Sequence, residues 1–357
     1  MQFIKPDINL DFVGKRKIAY SVSILLLLAS VVSLILHGGP RYGIDFSGGT
    51  ALVVKFDQPV TTDQIRDALK PIGLNHASIQ QFGDAAANEY RIRADLAQTH
   101  LSGVESVAEP IAKALATIPG RTVSVESVDM VGPQVGKDLR EKALSAMFYA
   151  LLFIAVYISG RFEMKWVPAA VVAGVLAGVA YVLEVLGVPL PIIIVVSLAL
   201  SLVMFWFLQL RYAMGAIVAL IHDVTITVGL FSMMDKEFTL TIIAALLTII
   251  GYSLNDTIIV FDRIRENGKK MSRAGLPEII NRSVNETLSR TILTSGTTLL
   301  VVVALFFLGG EVIHNFAFAL LVGIVVGTYS SVYVASPILL LWTPAAGGKP
   351  LAVKTRA

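Results

Sequence analysis

The chain has 357 residues, of which 55% are hydrophobic and only 15% charged. A soluble protein carries about 25% charge, so this composition excludes a soluble enzyme, a disordered chain and a disulfide scaffold, and calls for several membrane spans of roughly 20 apolar residues each. Cysteine is absent, which removes thiol catalysis, thiolate metal sites and disulfides, and the net charge of +3 conceals an uneven distribution.

The first apolar run covers 18–36, behind Lys15, Arg16 and Lys17. A basic start before an apolar stretch is the pattern of a secretory signal. The run is 19 residues long, however, and Leu36-His37-Gly38-Gly39-Pro40 is not an A-x-A cleavage site. Residues 1–37 therefore read as a cytoplasmic start and a retained first span, oriented by the positive-inside rule. Residues 38–141 differ completely, with 23 charged residues, 10 basic and 13 acidic. Strands are expected at 51–56, 77–81, 89–93 and 122–130, with the second and third around Gly83-Asp84, and helices at 61–69 and 101–116. The order βαββαβ predicts a small α+β, ferredoxin-like domain on the exported (periplasmic) side.

The remainder, 142–342, reads as a polytopic α-helical bundle. Spans are expected at 143–160, 166–183, 190–210, 212–234, 238–261, 291–310 and 315–342, which with the first makes eight. Arg161, Lys165, Arg211, the basic loop 263–290 and the tail 343–357 then fall on the side of the N-terminus, and Asp235, Glu237 and Glu311 on the other. A six-span plan with an inserted hairpin at 166–210 passes the same test, because a hairpin preserves the alternation. Arg161-Phe162 and Arg211-Tyr212 each close an apolar run and lead into small residues, which either a local duplication or chance similarity explains.

Three places put polar groups where lipid is expected. Asp256, beside Asn255, lies five residues before the expected end of its span, and Arg290 opens the following one. A guanidinium reaching down to such a carboxylate makes either a proton relay or a permanent pair that locks two helices. His222-Asp223 lies near the middle of 212–234 and reads foremost as an inter-helix hydrogen bond. Thr294, Ser295, Thr297 and Thr298 surround Gly296. Gly174/Gly178 and Gly323/Gly327 fit close helix packing. Gly43-Ile-Asp-Phe-Ser-Gly-Gly49 leads into a strand and has no following Lys, so it is no phosphate loop. An intramembrane triad of Ser253, His222 and Asp256 lacks the second glycine of a nucleophile elbow, since Gly251-Tyr252-Ser253-Leu254 runs on into Asn255. No cofactor, metal or nucleic-acid site is expected.

Several stretches together resemble the SecD/SecF family of bacterial protein-export subunits, within the resistance-nodulation-division superfamily. They are Phe12-Val-Gly-Lys-Arg-Lys17, Tyr42-Gly-Ile-Asp-Phe-Ser-Gly-Gly-Thr50, Val131-Gly-Pro-Gln-Val-Gly136, Ala219-Leu-Ile-His-Asp223, Ile250-Gly-Tyr-Ser-Leu-Asn-Asp-Thr257, Val260-Phe-Asp-Arg-Ile-Arg-Glu-Asn267 and the run from Asn281 to Thr291. The resemblance implies six spans and one exported domain, so 166–210 is expected to be extra. It also implies a non-enzymatic subunit of the cytoplasmic membrane that joins a SecD-like partner and the SecYEG channel and uses the proton-motive force to draw preproteins outward. Asp256 and Arg290 match the family's proton path. Asp223 and the stretch with Thr294, Ser295 and Thr297 match positions lining the bundle centre. The competing expectation is a half-size proton-coupled exporter of small molecules or lipids from the same superfamily.

Overall fold

The computed structural model describes residues 8–74, 77–82, 87–94 and 104–342; the expected turn at 83–84, the start of the 101–116 helix and the tail 343–357 lie outside them. Among the described residues, eight helices are long and apolar enough to cross a membrane. They are α1 (Arg16–Leu36), α5 (Pro133–Glu163), α6 (Trp166–Val185), α7 (Leu190–Phe207), α8 (Arg211–Met233), α9 (Leu240–Lys270), α10 (Leu276–Leu308) and α11 (Gly310–Ser330). The last continues through a π-helical turn, Ser331–Ala335, to Trp342.

Between α1 and α5 stands a four-stranded antiparallel sheet of β1 (Gly49–Phe56), β2 (Ser78–Phe82), β3 (Glu89–Ala94) and β4 (Val123–Val131), in the order β2-β3-β1-β4. Helices α3 (Thr62–Leu69) and α4 (Val104–Leu115) complete it. This is the split βαβ arrangement that the element order implied. Leu52, Val54 and Phe56 of β1 and Ile92 of β3 bury their side chains with Ile65, Leu69, Ile111 and Leu115 of the helices in one core. The central strand β1 is covered on both faces and reads as a continuous apolar run rather than an alternation. Helix α3 starts at a capping box, where Gln64 N–H donates to Thr61 Oγ1 (3.3 Å) and Thr61 N–H to Gln64 Oε1 (3.0 Å).

A short helix absent from the sequence expectation, α2 (Ile44–Ser47), joins the domain to the bundle. Its exit explains the glycine pair that looks like a phosphate loop. Gly48 and Gly49 have φ of +72° and +121°, and a Cβ on either would lie 2.8 Å from backbone atoms of Pro133 or Ala94. The two glycines let β1 turn tightly against the start of α5 and the end of β3. Asp45 of α2 accepts the N–H of Leu240 at 2.8 Å, at the start of α9. Arg41 pairs with Asp235 (2.5 Å), and Arg93 of β3 with Glu237 (3.1 Å) and the carbonyl of Tyr42 (2.8 Å). The domain therefore stands on the bundle end that carries Asp235 and Glu237.

At the opposite end the expected loop 263–290 is not a loop. Helices α9 and α10 continue through it and turn only at 271–275. Hydropathy marks where lipid ends, not where a helix ends, and these extensions hold by polar contacts instead. Asn267 donates to Ser283 (3.1 Å) and Glu286 (2.8 Å), and Glu266–Lys270 and Arg282–Glu286 make i,i+4 pairs. The N-terminal arm lies along α10. Leu10 N–H donates to Asn285 Oδ1 and Phe12 N–H to Asn281 Oδ1, both at 2.8 Å, and both amides return a bond to the Leu10 carbonyl. Two asparagines one turn apart thus satisfy backbone groups of the arm that have no helix or sheet partner.

Helices α6 and α7 form the hairpin expected at 166–210, packed on the outside of α5. Val172, Leu176 and Phe205 join the bundle core with Leu151, Ala155 and Ile217. Its two ends meet. Lys165 Nζ donates to the carbonyls of Leu208 (2.8 Å) and Gln209 (3.1 Å), capping α7, while Glu163 Oε1 accepts the N–H of Tyr212 (2.9 Å), capping α8. The helices before α6 and before α8 end alike, on non-glycine residues in the left-handed region, Met164 (φ 54°) and Gln209 (φ 53°). The small-residue pairs divide. Gly323 and Gly327 bring α11 against Ile249 and Ser253 of α9, with a Cβ on Gly323 meeting Ile249 at 2.3 Å. Gly174 and Gly178 have nothing within 4 Å, so the packing expected of them is not made within this chain.

Candidate functional site

Asp256 sits inside the bundle, 1% exposed, on the face of α9 turned toward α10 and α11. With α9 running to Lys270, it lies near the middle of a 31-residue helix rather than close to its end. Ser295 of α10 donates to Asp256 Oδ2 at 3.3 Å and lies 2.7 Å from Thr328 of α11, whose single hydroxyl hydrogen goes either to Ser295 or to the carbonyl of Ile324, 2.7 Å away. Arg290 lies on the same helix as Ser295, roughly 7.5 Å along the axis at 1.5 Å per residue. It is exposed, and the described residues form no ion pair between it and Asp256. The two residues stand on neighbouring helices, with no hydrogen bond or ion pair between them among the described residues.

The other expected positions separate. Asn255 points outward and is exposed. Thr294 and Thr297 bond back into their own helix, Thr294 to the carbonyls of Arg290 and Thr291 and Thr297 to those of Leu293 and Thr294. Only Ser295 of that stretch touches Asp256.

Asp223 occupies a second buried centre, on α8. Ser253 of α9 (2.6 Å) and Ser330 of α11 (2.8 Å) donate to its Oδ2, and His222 Nδ1 lies 2.9 Å from Oδ1. His222 Nε2 lies 3.1 Å from Ser23 Oγ of α1, Ser23 shares a 3.1 Å bond with Tyr329, and Tyr329 donates to the carbonyl of Ala19 at 2.7 Å. Ser253 therefore serves Asp223, and the imagined grouping of Ser253, His222 and Asp256 is not formed. The inter-helix hydrogen bond expected of His222-Asp223 is present and joins four helices. Sequence reasoning missed Ser23, Thr328, Tyr329 and Ser330 because isolated hydroxyls are common in membrane helices. The signal available was the adjacent pair Ser330-Ser331, which the structure places at the entry of the π-helical turn, a feature that often marks functional sites in helices. That turn brings Ala335 close to α8, where a Cβ on Gly215 would meet the Ala335 carbonyl at 2.8 Å.

The family model for the protein export membrane protein SecD/SecF, C-terminal, matches residues 111–190 and 189–345, and the SecD/SecF GG-motif model matches 33–60. The protein translocase subunit SecF of Magnetococcus marinus is 42% identical over 345 residues, covering 96% of this chain and 95% of the relative. The chain belongs to the SecF family. The subunit of Calditerrivibrio nitroreducens is 40% identical over 344 residues, covering 96% of both chains. The crystal structure of SecDF, a translocon-associated membrane protein from Thermus thermophilus, superposes with a TM-score of 0.69 at 32% identity. The match covers 95% of this chain and 39% of that longer chain. A super-membrane-facing form of SecDF superposes with a TM-score of 0.56. The glycine pair that folds β1 against α5 lies within the GG-motif match, and the longer match breaks at 189–190, in the turn between α6 and α7.

Proposed function

We propose that this chain, as the SecF-type subunit of the Sec translocase, passes protons by way of Asp256 and uses their passage to promote preprotein movement across the bacterial cytoplasmic membrane. Its partners in this reading are a SecD-type subunit, the SecYEG channel and the preprotein. The observation that carries it is Asp256 itself, a carboxyl 1% exposed among apolar helices with one hydroxyl donor at 3.3 Å. An ionised carboxylate in such a place is costly unless it is paired. Two arrangements satisfy the group, a proton on the carboxyl or the guanidinium of Arg290 brought down beside it. Exchange between them requires α10 to move against α9, and the bundle then has two packings biased by a proton. Ser295 and Thr328 supply a hydroxyl pair that can receive and return that proton without a charge being left on either.

The charge pattern supports an orientation with the N-terminal arm and the α9–α10 turn in the cytoplasm and the sheet domain exported. A small-molecule or lipid exporter is not favoured, since relatives matched over nearly their whole length are translocase subunits. Nor is a hydrolase. Ser23, His222 and Asp223 stand in the order of a triad, but Ser23 is interior to α1, where the backbone N–H groups are spent within the helix and none forms an oxyanion site.

The test is Asp256→Asn, expressed with its SecD-type partner. The variant is expected to assemble normally and to lose the gradient-dependent part of export by about tenfold or more, as removal of a proton-transfer group typically does. Undiminished gradient-driven export by the assembled variant overturns the reading.

A further inference from the structure

The bundle holds a second buried ionisable pair that the relay does not use, His222 and Asp223. Its partners lie on three other helices. Asp223 is bonded by Ser253, three residues before Asp256 on α9, and by Ser330, two residues after Thr328 on α11. On its far side the pair reaches Ser23 of α1, the helix that leads directly into the sheet domain.

The contact between α1 and α8 repeats in constant register. Ser23 meets His222 at 3.1 Å and Ser33 meets Ser232 at 2.9 Å, each pair 199 residues apart. Between them Ser30 faces Gly229, where a Cβ would fall 2.2 Å from Ser30 Oγ. The two helices therefore run parallel and closely packed along a ladder of small polar residues. Besides the Tyr329–Ala19 bond and the asparagine clasp just before its start, α1 is held by this ladder, its buried residues being Ala19, Ser23, Ser30 and Ser33. Two rungs carry a titratable ring: His37 lies 3.3 Å from Ser33 and 3.4 Å from Ser232 at the domain end of α1, where the pH can be held fixed, and His222 is the one inside the bundle.

We propose that His222 is the positioning residue that couples the relay to the exported domain, by holding α1 in a docked position that depends on the proton content of the His222–Asp223 pair. The proposal rests on the reading of Asp256 as the relay carboxyl. With Nδ1–H directed at Asp223, a neutral imidazole presents a lone pair at Nε2, and Ser23 donates to it. A proton gained at Nε2 turns that atom into a donor, so Ser23 must reverse and give its own proton to Tyr329. The change redirects the rung nearest the middle of α1, and it is felt at α9 and α11 through Ser253 and Ser330. The titratable group contacting the pair from outside α8 is Tyr329 of α11. Helix α1 offers the Ser23 hydroxyl and α9 the Ser253 hydroxyl, and among the described residues no lysine or arginine forms an ion pair with Asp223.

Because the chain lacks cysteine, docking of α1 can be read from a Ser33→Cys/Ser232→Cys chain, reconstituted with its SecD-type partner in proteoliposomes. The pH on the domain side is held fixed while the opposite side is varied. Imposing the gradient is expected to change the rate of disulfide formation by about threefold or more, as a modest shift between two packings gives. His222→Gln keeps a side chain that bonds both neighbours but does not titrate, so cross-linking should stay fast and lose its gradient dependence. Retention of that dependence in His222→Gln means a merely structural contact and overturns the proposal, as does indifference of the parent chain to the gradient. If His222→Gln fails to assemble, Ser23→Ala cuts the same connection with the pair intact, and there too the dependence must vanish. The Asp256→Asn export assay reads the relay separately, so failure of either idea leaves the other visible.

Discussion

Replacing Gly229 by alanine is the smallest change that tests the ladder between α1 and α8. The added Cβ would lie 2.1 Å from Ser30 Cβ and 2.6 Å from Ser30 Cα. Carbon atoms rest at about 3.5–4.0 Å, so the helices must part by about 1.4 Å, since Cα and Cβ atoms cannot swing aside as the end of a long side chain would. That movement takes the 2.9 Å Ser33–Ser232 bond and the 3.1 Å Ser23–His222 bond beyond hydrogen-bonding range. Overpacking costs about 1–3 kcal/mol, and each lost inter-helix bond about 0.6 kcal/mol, for a total of about 2–4 kcal/mol. Gly174→Ala is the matched control, because nothing lies within 4 Å of its Cβ position and helix propensity alone favours alanine by up to about 1 kcal/mol. Thermal denaturation of the detergent-solubilised protein should show Gly229→Ala several degrees below the parent and Gly174→Ala at or slightly above it. Adding Ser30→Gly removes the two nearest clashing atoms and should recover most of the loss. Equal tolerance of both alanines would refute the close approach of α1 and α8.

Two further outcomes follow from the bundle and the domain. In-frame deletion of 166–210 should leave a folded protein, because Glu163 already caps α8 and the ends of the hairpin already meet at Lys165; retention of gradient-dependent export and a monodisperse gel-filtration profile would show it, and aggregation would contradict it. In the sheet domain, Asp57 accepts the N–H of Thr122 at 3.0 Å, and that bond holds its carboxyl below the ordinary value of 3.8. The folded value being the lower one, the associated stability is complete above about pH 4 and is lost as pH falls through the folded value. Asp57→Asn should therefore weaken the domain at neutral pH, and the difference from the parent should shrink in strong acid, as followed by hydrogen exchange at β1 and β4.

The strands and domain helices were legible because short apolar runs, alternating or at helical spacing, are local signals. The eight spans were legible because lipid imposes its own length. The far ends of α9 and α10 were not, since charged residues such as Glu266, Lys270, Arg282 and Glu286 look like loop until they are seen to pair along a helix. Asp256 was found by its cost in lipid, and Ser295 by its place in a polar stretch. That Thr294 and Thr297 satisfy themselves within their own helix, and that Asn255 faces outward, depends on rotation about the helix axis, which a spacing argument fixes only when the neighbouring helices are known. The hydrogen bond expected of His222-Asp223 is made, but which groups complete it was not legible for a related reason. Its partners are single hydroxyls scattered across three helices, and each alone is unremarked in a membrane span.

The asparagine clasp on the N-terminal arm has a mechanical consequence. Asn281 and Asn285 grip the backbone from Leu10 to Val13, and α1 begins at Arg16. The link left between α10 and α1 is too short to stretch, so these two helices are hinged at one end like the arms of tweezers. They can spread only at the other end, and that is the end on which the sheet domain stands. A small rotation of α10 near Ser295 is thus delivered away from the clasp, with the length of the helix as its lever arm.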